Sequence, residues 1–178
     1  MRLWVIAALA ALAAAGPAGF AAARQAAADE LLNEPSANWN VYGPGQTHKG
    51  RRDKAVQGGG VMQVVIPARP ANAWDIGASS PIAKPIRKGD TLMLAFWARL
   101  ASGGTDGKTR LGAAIQRSTA PYDPIVSGEV ELTGELKLVH IQGVAAADFP
   151  AGAANVALSL GTAAHTVELG PVFVLVVK

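Results

Sequence analysis

The sequence contains no cysteine. Disulfide staples and thiolate metal sites are therefore excluded, as is a lipid-anchored precursor, which would need a cysteine at its cleavage point. Whatever fold forms must rest on an ordinary apolar core. Histidines are few, and His48, His140 and His165 share no metal-ligand spacing. No serine sits in a Gly-x-Ser-x-Gly elbow. Gly58-Gly59-Gly60 is not followed by the Lys-Ser or Lys-Thr of a phosphate loop. The acidic residues are scattered, and no pair stands out as a glycosidase dyad. Neither a catalytic residue nor a metal site is expected. Long helical periodicity is also missing, and aromatic residues make up only 6% of the chain.

The first thing present is a leader pattern. Met1-Arg2 is a short basic start, Leu3 to Ala15 is unbroken apolar sequence, and Gly16-Pro17 ends it ahead of an A-x-A site at Ala21-Ala22-Ala23. That layout predicts a signal peptide over 1–23 and an exported protein, periplasmic or secreted. A single membrane anchor is the competing interpretation, since the run approaches the ~20 residues needed to span. The Gly-Pro break and the small-residue exit favour cleavage, with no membrane association afterwards. Residues 24–32 suit a flexible N-terminal segment. The domain itself is expected over 33–178, about 150 residues and enough for one core.

From Asn33 onward, short runs of Val, Ile and Leu alternate with Gly, Pro, Asn, Asp and Ser clusters, which predicts many short strands. Gly60–Ile66 ends at a proline that cannot donate to a ladder. In Asp90–Leu100, Leu92, Leu94, Phe96 and Ala98 share one face, and Met93, Ala95, Trp97 and Arg99 the other. Arg110–Arg117, Glu129–Leu132, Leu136–Val144, Asn155–Gly161 and Thr166–Val177 follow, the last two as an expected hairpin through Thr162–His165. The fold class is all-β, a two-sheet antiparallel sandwich or jelly roll. On the Arg110 strand, Gly112 and Ala114 lie beside Gln116, so that face lacks bulk. Such a face is either a groove floor or a surface covered by a neighbouring loop.

The formal net charge is +3, with Lys49, Arg51, Arg52 and Lys54 clustered around Asp53. No nucleic-acid motif accompanies them, so a solvated basic loop is expected and no nucleic-acid partner. Exposed aromatics and planar amides are the groups that stack on sugar rings and bind paired hydroxyls. Trp74, in a turn-like stretch, Tyr122 in Pro121-Tyr122-Asp123-Pro124, and Gln116 qualify, although an aromatic in a β domain is often core or corner instead. Trp97 fits either a groove or a covered face. Trp39 and Tyr42 are expected to pack against the sandwich edge.

Taken in order, Ala73-Trp74-Asp75-Ile76, Ile86-Arg87-Lys88-Gly89-Asp90-Thr91-Leu92 and Leu94-Ala95-Phe96-Trp97-Ala98-Arg99 resemble the CenC-type carbohydrate-binding modules. The likeness continues through Arg110–Gln116, Ala120-Pro121-Tyr122, Val130-Glu131-Leu132-Thr133 and Thr166-Val167-Glu168-Leu169, covering about Asn33 to Val177. It implies a galactose-binding-like jelly roll and, as in many relatives, binding of β-glucan or xylan chains. It also implies a ligand surface near Trp74, Gln116 and Tyr122, with Arg99 and Trp97 behind them and His140 as a further candidate. Three departures stand out. Glu135-Leu136 replaces a Glu-Trp pair. Leu169-Gly170-Pro171-Val172 lacks an acidic residue that can help hold structural calcium, so no cofactor is expected. Such modules are usually attached to a hydrolase, and the strand pattern here runs to the last residues given. A polysaccharide or glycan is the expected partner, and a periplasmic protein docking on the same sandwich is the alternative.

Overall fold

The computed structural model describes residues 30–56 and 58–177. The expected signal peptide and all but the end of the 24–32 segment lie outside the described residues. Eleven strands form: β1 Glu30–Leu31, β2 Asn40–Tyr42, β3 Thr47–Arg52, β4 Gly60–Ile66, β5 Gly77–Ile82, β6 Thr91–Gly103, β7 Thr109–Arg117, β8 Pro124–Leu132, β9 Lys137–Val144, β10 Ala154–Ser159 and β11 His165–Val177. A single 3₁₀ turn, Ala73–Asp75, precedes β5. One sheet has the order β3-β4-β11-β6-β9, with β1 also on β11; the other is β2-β5-β10-β7-β8. Every pairing is antiparallel. The chain is the all-β sandwich that its period-two pattern predicts.

Alternation explains the core. Leu92, Leu94, Phe96 and Ala98 of β6 are fully buried, as are Val167, Leu169, Val172 and Val174 of β11. Facing them from the other sheet are Leu111 and Ile115 of β7 and Val156 and Leu158 of β10. β7 and β10 give their large aliphatics to the gap and their small or polar residues to the outside. Trp39 does not lie at the edge as expected. It is buried, meets Phe96 edge-on with ring centroids 6.0 Å apart, and donates from Nε1 to Gly170 O at 2.9 Å.

That last bond belongs to a repair. Gly170-Pro171 interrupts β11, and the register against β6 shifts between Leu169 and Val172. A proline inside a strand removes a ladder donor. The backbone groups around it are satisfied from the N-terminal segment. Asn33 donates from Nδ2 to Val172 O at 3.0 Å and accepts from Val174 N at 2.7 Å, and Val172 N donates to Ser36 O at 3.2 Å. Leu32 is buried, and its backbone N–H donates to Val174 O. The ordered sandwich therefore begins by Glu30, ahead of the boundary expected at Asn33, because β11 needs this segment.

Two further expectations change. The chain between β10 and β11 is not a hairpin, since the two strands lie in different sheets. His165 fixes this crossing: it is buried, with Nε2 donating to Leu160 O and Nδ1 accepting from the Thr109 hydroxyl, both at 2.9 Å. The carbonyl can only accept, which sets the tautomer. The basic cluster is not a loop either. Lys49, Arg51 and Arg52 stand on β3, the edge strand of the first sheet, where every residue is exposed.

Two tests follow from the buried polar groups. Asn33→Ala leaves the Val172 carbonyl and the Val174 N–H without partners and should cost about 1–3 kcal/mol in denaturant unfolding. Burial lowers the His165 pKa below its ordinary value of 6.5. Its contribution to stability is full above the unfolded pKa and is lost as pH falls from there toward the folded one. Stability should therefore drop as pH descends below about 6.5, and His165→Phe should flatten that portion of a stability–pH curve.

Candidate functional site: a groove on the outer face of the second sheet

Burying the inner residues of β7 and β10 turns Gly112, Ala114 and Gln116 outward on one strand and Asn155, Ala157 and Ser159 on the other. The register aligns them into rows across the sheet. Asn40, Ser79, Ala157, Ala114 and Ser127 form one row; Tyr42, Gly77, Ser159, Gly112 and Glu129 form the next. The centre of the sheet is thus a floor of Gly, Ala and Ser. Over it lies an open groove of about 750 Å³. Pro81, on the next row with Asn155 and Gln116, is tolerated because β2 pairs only with Gly77–Ser79, so β5 has a bare edge there.

Aromatic walls rise at the rim. Trp74, 67% exposed, is presented by the 3₁₀ turn. That turn is held at its start by Asn72 N donating to Asp75 Oδ2 at 2.9 Å, and behind by Gly161 N donating to Ala73 O. Ile76, buried in the core, anchors its end. Gly43, at φ +106°, passes so close beneath that an added Cβ would lie 2.1 Å from Asp75 O. Tyr122 is 54% exposed with φ 58°, a left-handed conformation that a bulky side chain seldom adopts. Such local strain is found where the surroundings hold a side chain in place for a purpose.

Tyr42 is the residue that the sequence did not reveal. The end of its phenol ring lies over Gly77, where an added Cβ would come within 2.4 Å of its hydroxyl oxygen. It lines the groove while remaining 41% exposed. Burial first, and the neighbouring Tyr122 phenol second, raise its pKa above the ordinary 10.0. A Tyr three residues after a buried Trp gives no sequence signal of its own; the spacing of Gly77 beneath it becomes visible only with β2 and β5 paired.

Polar groups complete the lining. Gln116, Asn155, Ser79 and Asn40 reach the groove from the floor, and Asn40 Nδ2 donates to Ser79 Oγ at 3.4 Å. Asn155 Oδ1 is buried and has no hydrogen-bond partner. An unsatisfied buried acceptor carries a desolvation cost of about 1–3 kcal/mol. No charged side chain lines this groove. It offers ring faces for stacking, amides and hydroxyls for paired hydrogen bonds, and nothing to attract an ion. Among the described residues, no group of three or more His, Asp or Glu could hold a metal ion.

The structure brings Trp74, Gln116 and Tyr122 together in this one groove. It does not bring Arg99, Trp97 and His140 there. Those three project from the outer face of the first sheet, on the opposite side of the molecule, since Arg99 and Trp97 alternate with the buried face of β6 and His140 pairs with Ala95. Arg99 is engaged in ion pairs, with Nε donating to Glu168 Oε2 at 2.7 Å and Nη2 to Asp53 Oδ2 at 2.9 Å. Trp97 packs its Cβ against Gly170, beside Val56.

Solved structures share this architecture. The second N-terminal cellulose-binding domain of Cellulomonas fimi β-1,4-glucanase C is similar at 23% identity and TM-score 0.63, over 83% of this chain and 95% of that one. The CBM22-1 xylan-binding domain of Paenibacillus barcinonensis Xyn10C is similar at 18% identity and TM-score 0.53, over 85% and 94%. The N-terminal cellulose-binding domain of the same C. fimi glucanase matches at 23% identity and TM-score 0.53, over 76% and 86%. No family model and no curated protein matches the sequence. The likeness lies in the fold.

The contact between Tyr42 and Gly77 can be tested directly. Gly77→Ala places a methyl against the Tyr42 ring and 2.8 Å from the Leu158 carbonyl oxygen. It should destabilise by about 1–3 kcal/mol and displace Tyr42, which a phenol titration followed by ultraviolet absorbance would detect as a fall toward the ordinary pKa.

Proposed function

We propose that this is an exported, non-catalytic carbohydrate-binding domain that holds an uncharged polysaccharide chain, a β-glucan or a xylan, in the groove of the second sheet. The observation that carries this is the composition of the groove. Three exposed aromatics flank a floor of small residues, the amide side chains of Gln116 and Asn155 line it, and no charged side chain does. Sugar rings present apolar C–H faces to aromatics and hydroxyls to planar amides, so the inventory fits a neutral glycan and fits an ionic ligand poorly. The solved cellulose-binding and xylan-binding domains of the same fold support the ligand class, and the leader pattern over 1–23 supports export.

In this account Trp74, Tyr122 and Tyr42 supply the stacking surface. Gln116 and Asn155 orient the chain through its hydroxyls, and no metal or other cofactor takes part.

The test uses the exported protein, expected to begin at Arg24 by intact mass, against a panel of soluble glucans and xylans in affinity electrophoresis and calorimetry. Trp74→Ala and Tyr122→Ala should each weaken binding at least tenfold, about 1.4 kcal/mol. Both side chains are exposed, so the melting temperature should hardly change. Asn155→Ala should weaken binding comparably, and EDTA should have no effect. Absence of binding to every neutral polysaccharide in the panel would overturn the proposal.

A further inference from the structure

The first sheet carries a groove of its own, on the face opposite the aromatic one. It measures about 610 Å³ and crosses β3, β4, β11 and β6. The register sets Lys49, Gln63, Glu168 and Arg99 in one row across these four strands. Gln63, Ser102 and Thr166 line the floor, and Arg51 and Arg99 the sides. Glu168, only 5% exposed at its side chain, takes Arg99 on one oxygen; on the other it accepts from Gln63 Nε2 at 3.0 Å and lies 3.7 Å from Arg51. Asp53 takes the remaining edge of Arg99 at 2.9 Å.

The charge balance of this face is one-sided. Its two carboxylates are both committed to Arg99. Arg51, half exposed, has only the distant contact with Glu168. Among the described residues, Lys49, Arg52 and Lys54 take part in no ion pair, while β3 is exposed throughout its length. Cations on an edge strand discourage edge-to-edge pairing between molecules. That purpose needs no groove, and it does not account for Lys49 and Arg51 standing on the same face as a floor of hydroxyl and amide groups.

We propose that this face is a second binding site, for an anionic polysaccharide, distinct from the groove for the neutral chain. Gln63, Ser102 and Thr166 can exchange hydrogen bonds with sugar hydroxyls. Lys49 and Arg51, about 7 Å apart along the strand at ~3.3 Å per residue, meet carboxylate or sulfate groups along a chain, while Arg52 alternates to the other side of β3. Single-stranded nucleic acid is disfavoured, because stacking platforms are its usual requirement and none of the large exposed apolar side chains lies on β3 or β4. A lipid surface is disfavoured for the same reason, since interfacial binding needs apolar insertion. With both sites filled, one molecule links a neutral and an anionic polymer from opposite faces.

The experiment measures retention of the whole mature chain on immobilised polygalacturonate and dextran sulfate, with dextran and single-stranded DNA as comparisons. The double variant Lys49→Gln, Arg51→Gln should lose retention on both anionic glycans at least tenfold, and salt should weaken wild-type retention. The single variant Lys49→Gln touches no ion pair and should lose it in part, which guards against a folding defect. A control with the same net charge, Lys88→Gln, Arg117→Gln, should bind as wild type. Equal losses in the double variant and the control would overturn the proposal by reducing it to net charge. Absence of retention on either glycan, or stronger retention on DNA, would overturn it too. Trp74→Ala should leave these results unchanged, so failure of either site is read separately.

Discussion

Burial of one face of β7 and β10 is the constraint on which the groove depends. Leu111 and Ile115 on one strand, with Val156 and Leu158 on the other, must all enter the gap between the sheets. Because side chains alternate, this commits Gly112, Ala114, Gln116, Asn155 and Ala157 to the outside together. A slip of one residue would put the aliphatics in water and the glycine and amides in the core, so the register tolerates no such error. The groove floor is therefore a by-product of core formation, and only its walls require separate positioning.

Two of those walls are held by turns, and the third by the sheet itself. Trp74 rides on a single 3₁₀ turn clamped between Asn72, Asp75 and the backbone of Gly161. Tyr122 depends on a left-handed backbone, and Tyr42 on the absence of a side chain at Gly77. The three converge because β2, β5, β10 and β7 lie side by side. Of the two buried side-chain oxygens left without a partner among the described residues, on Asn155 and Thr162, the first belongs to a residue that lines the groove.

The two faces of the sandwich differ in kind. The outer face of the second sheet is aromatic, amide-bearing and uncharged where the groove runs. The first sheet's outer face is basic, with its two carboxylates enclosed by arginines. The basic residues look like a loop in sequence because Thr47–Arg52 contains nothing apolar. They form a strand only because β4 offers its free edge, and an edge strand with both faces solvated has no need of alternation.

From the residues alone, seven of the eleven strands among the described residues could be read, β1, β2, β3 and β5 being missed, along with the inward sets on β6 and β7 and the small-residue face beside Gln116. Those are properties of neighbouring positions on one strand, and period-two alternation encodes them locally. Alternation states which side of a strand faces the core, but not which sheet the strand joins. Trp97 and Arg99 therefore looked as suitable as Gln116, and the strands flanking Thr162–His165 looked like a hairpin. Sheet membership, the pairing of β2 with β5 that sets Tyr42 over Gly77, and the separation of the two outer faces come from contacts between distant segments, which only the packed sandwich supplies.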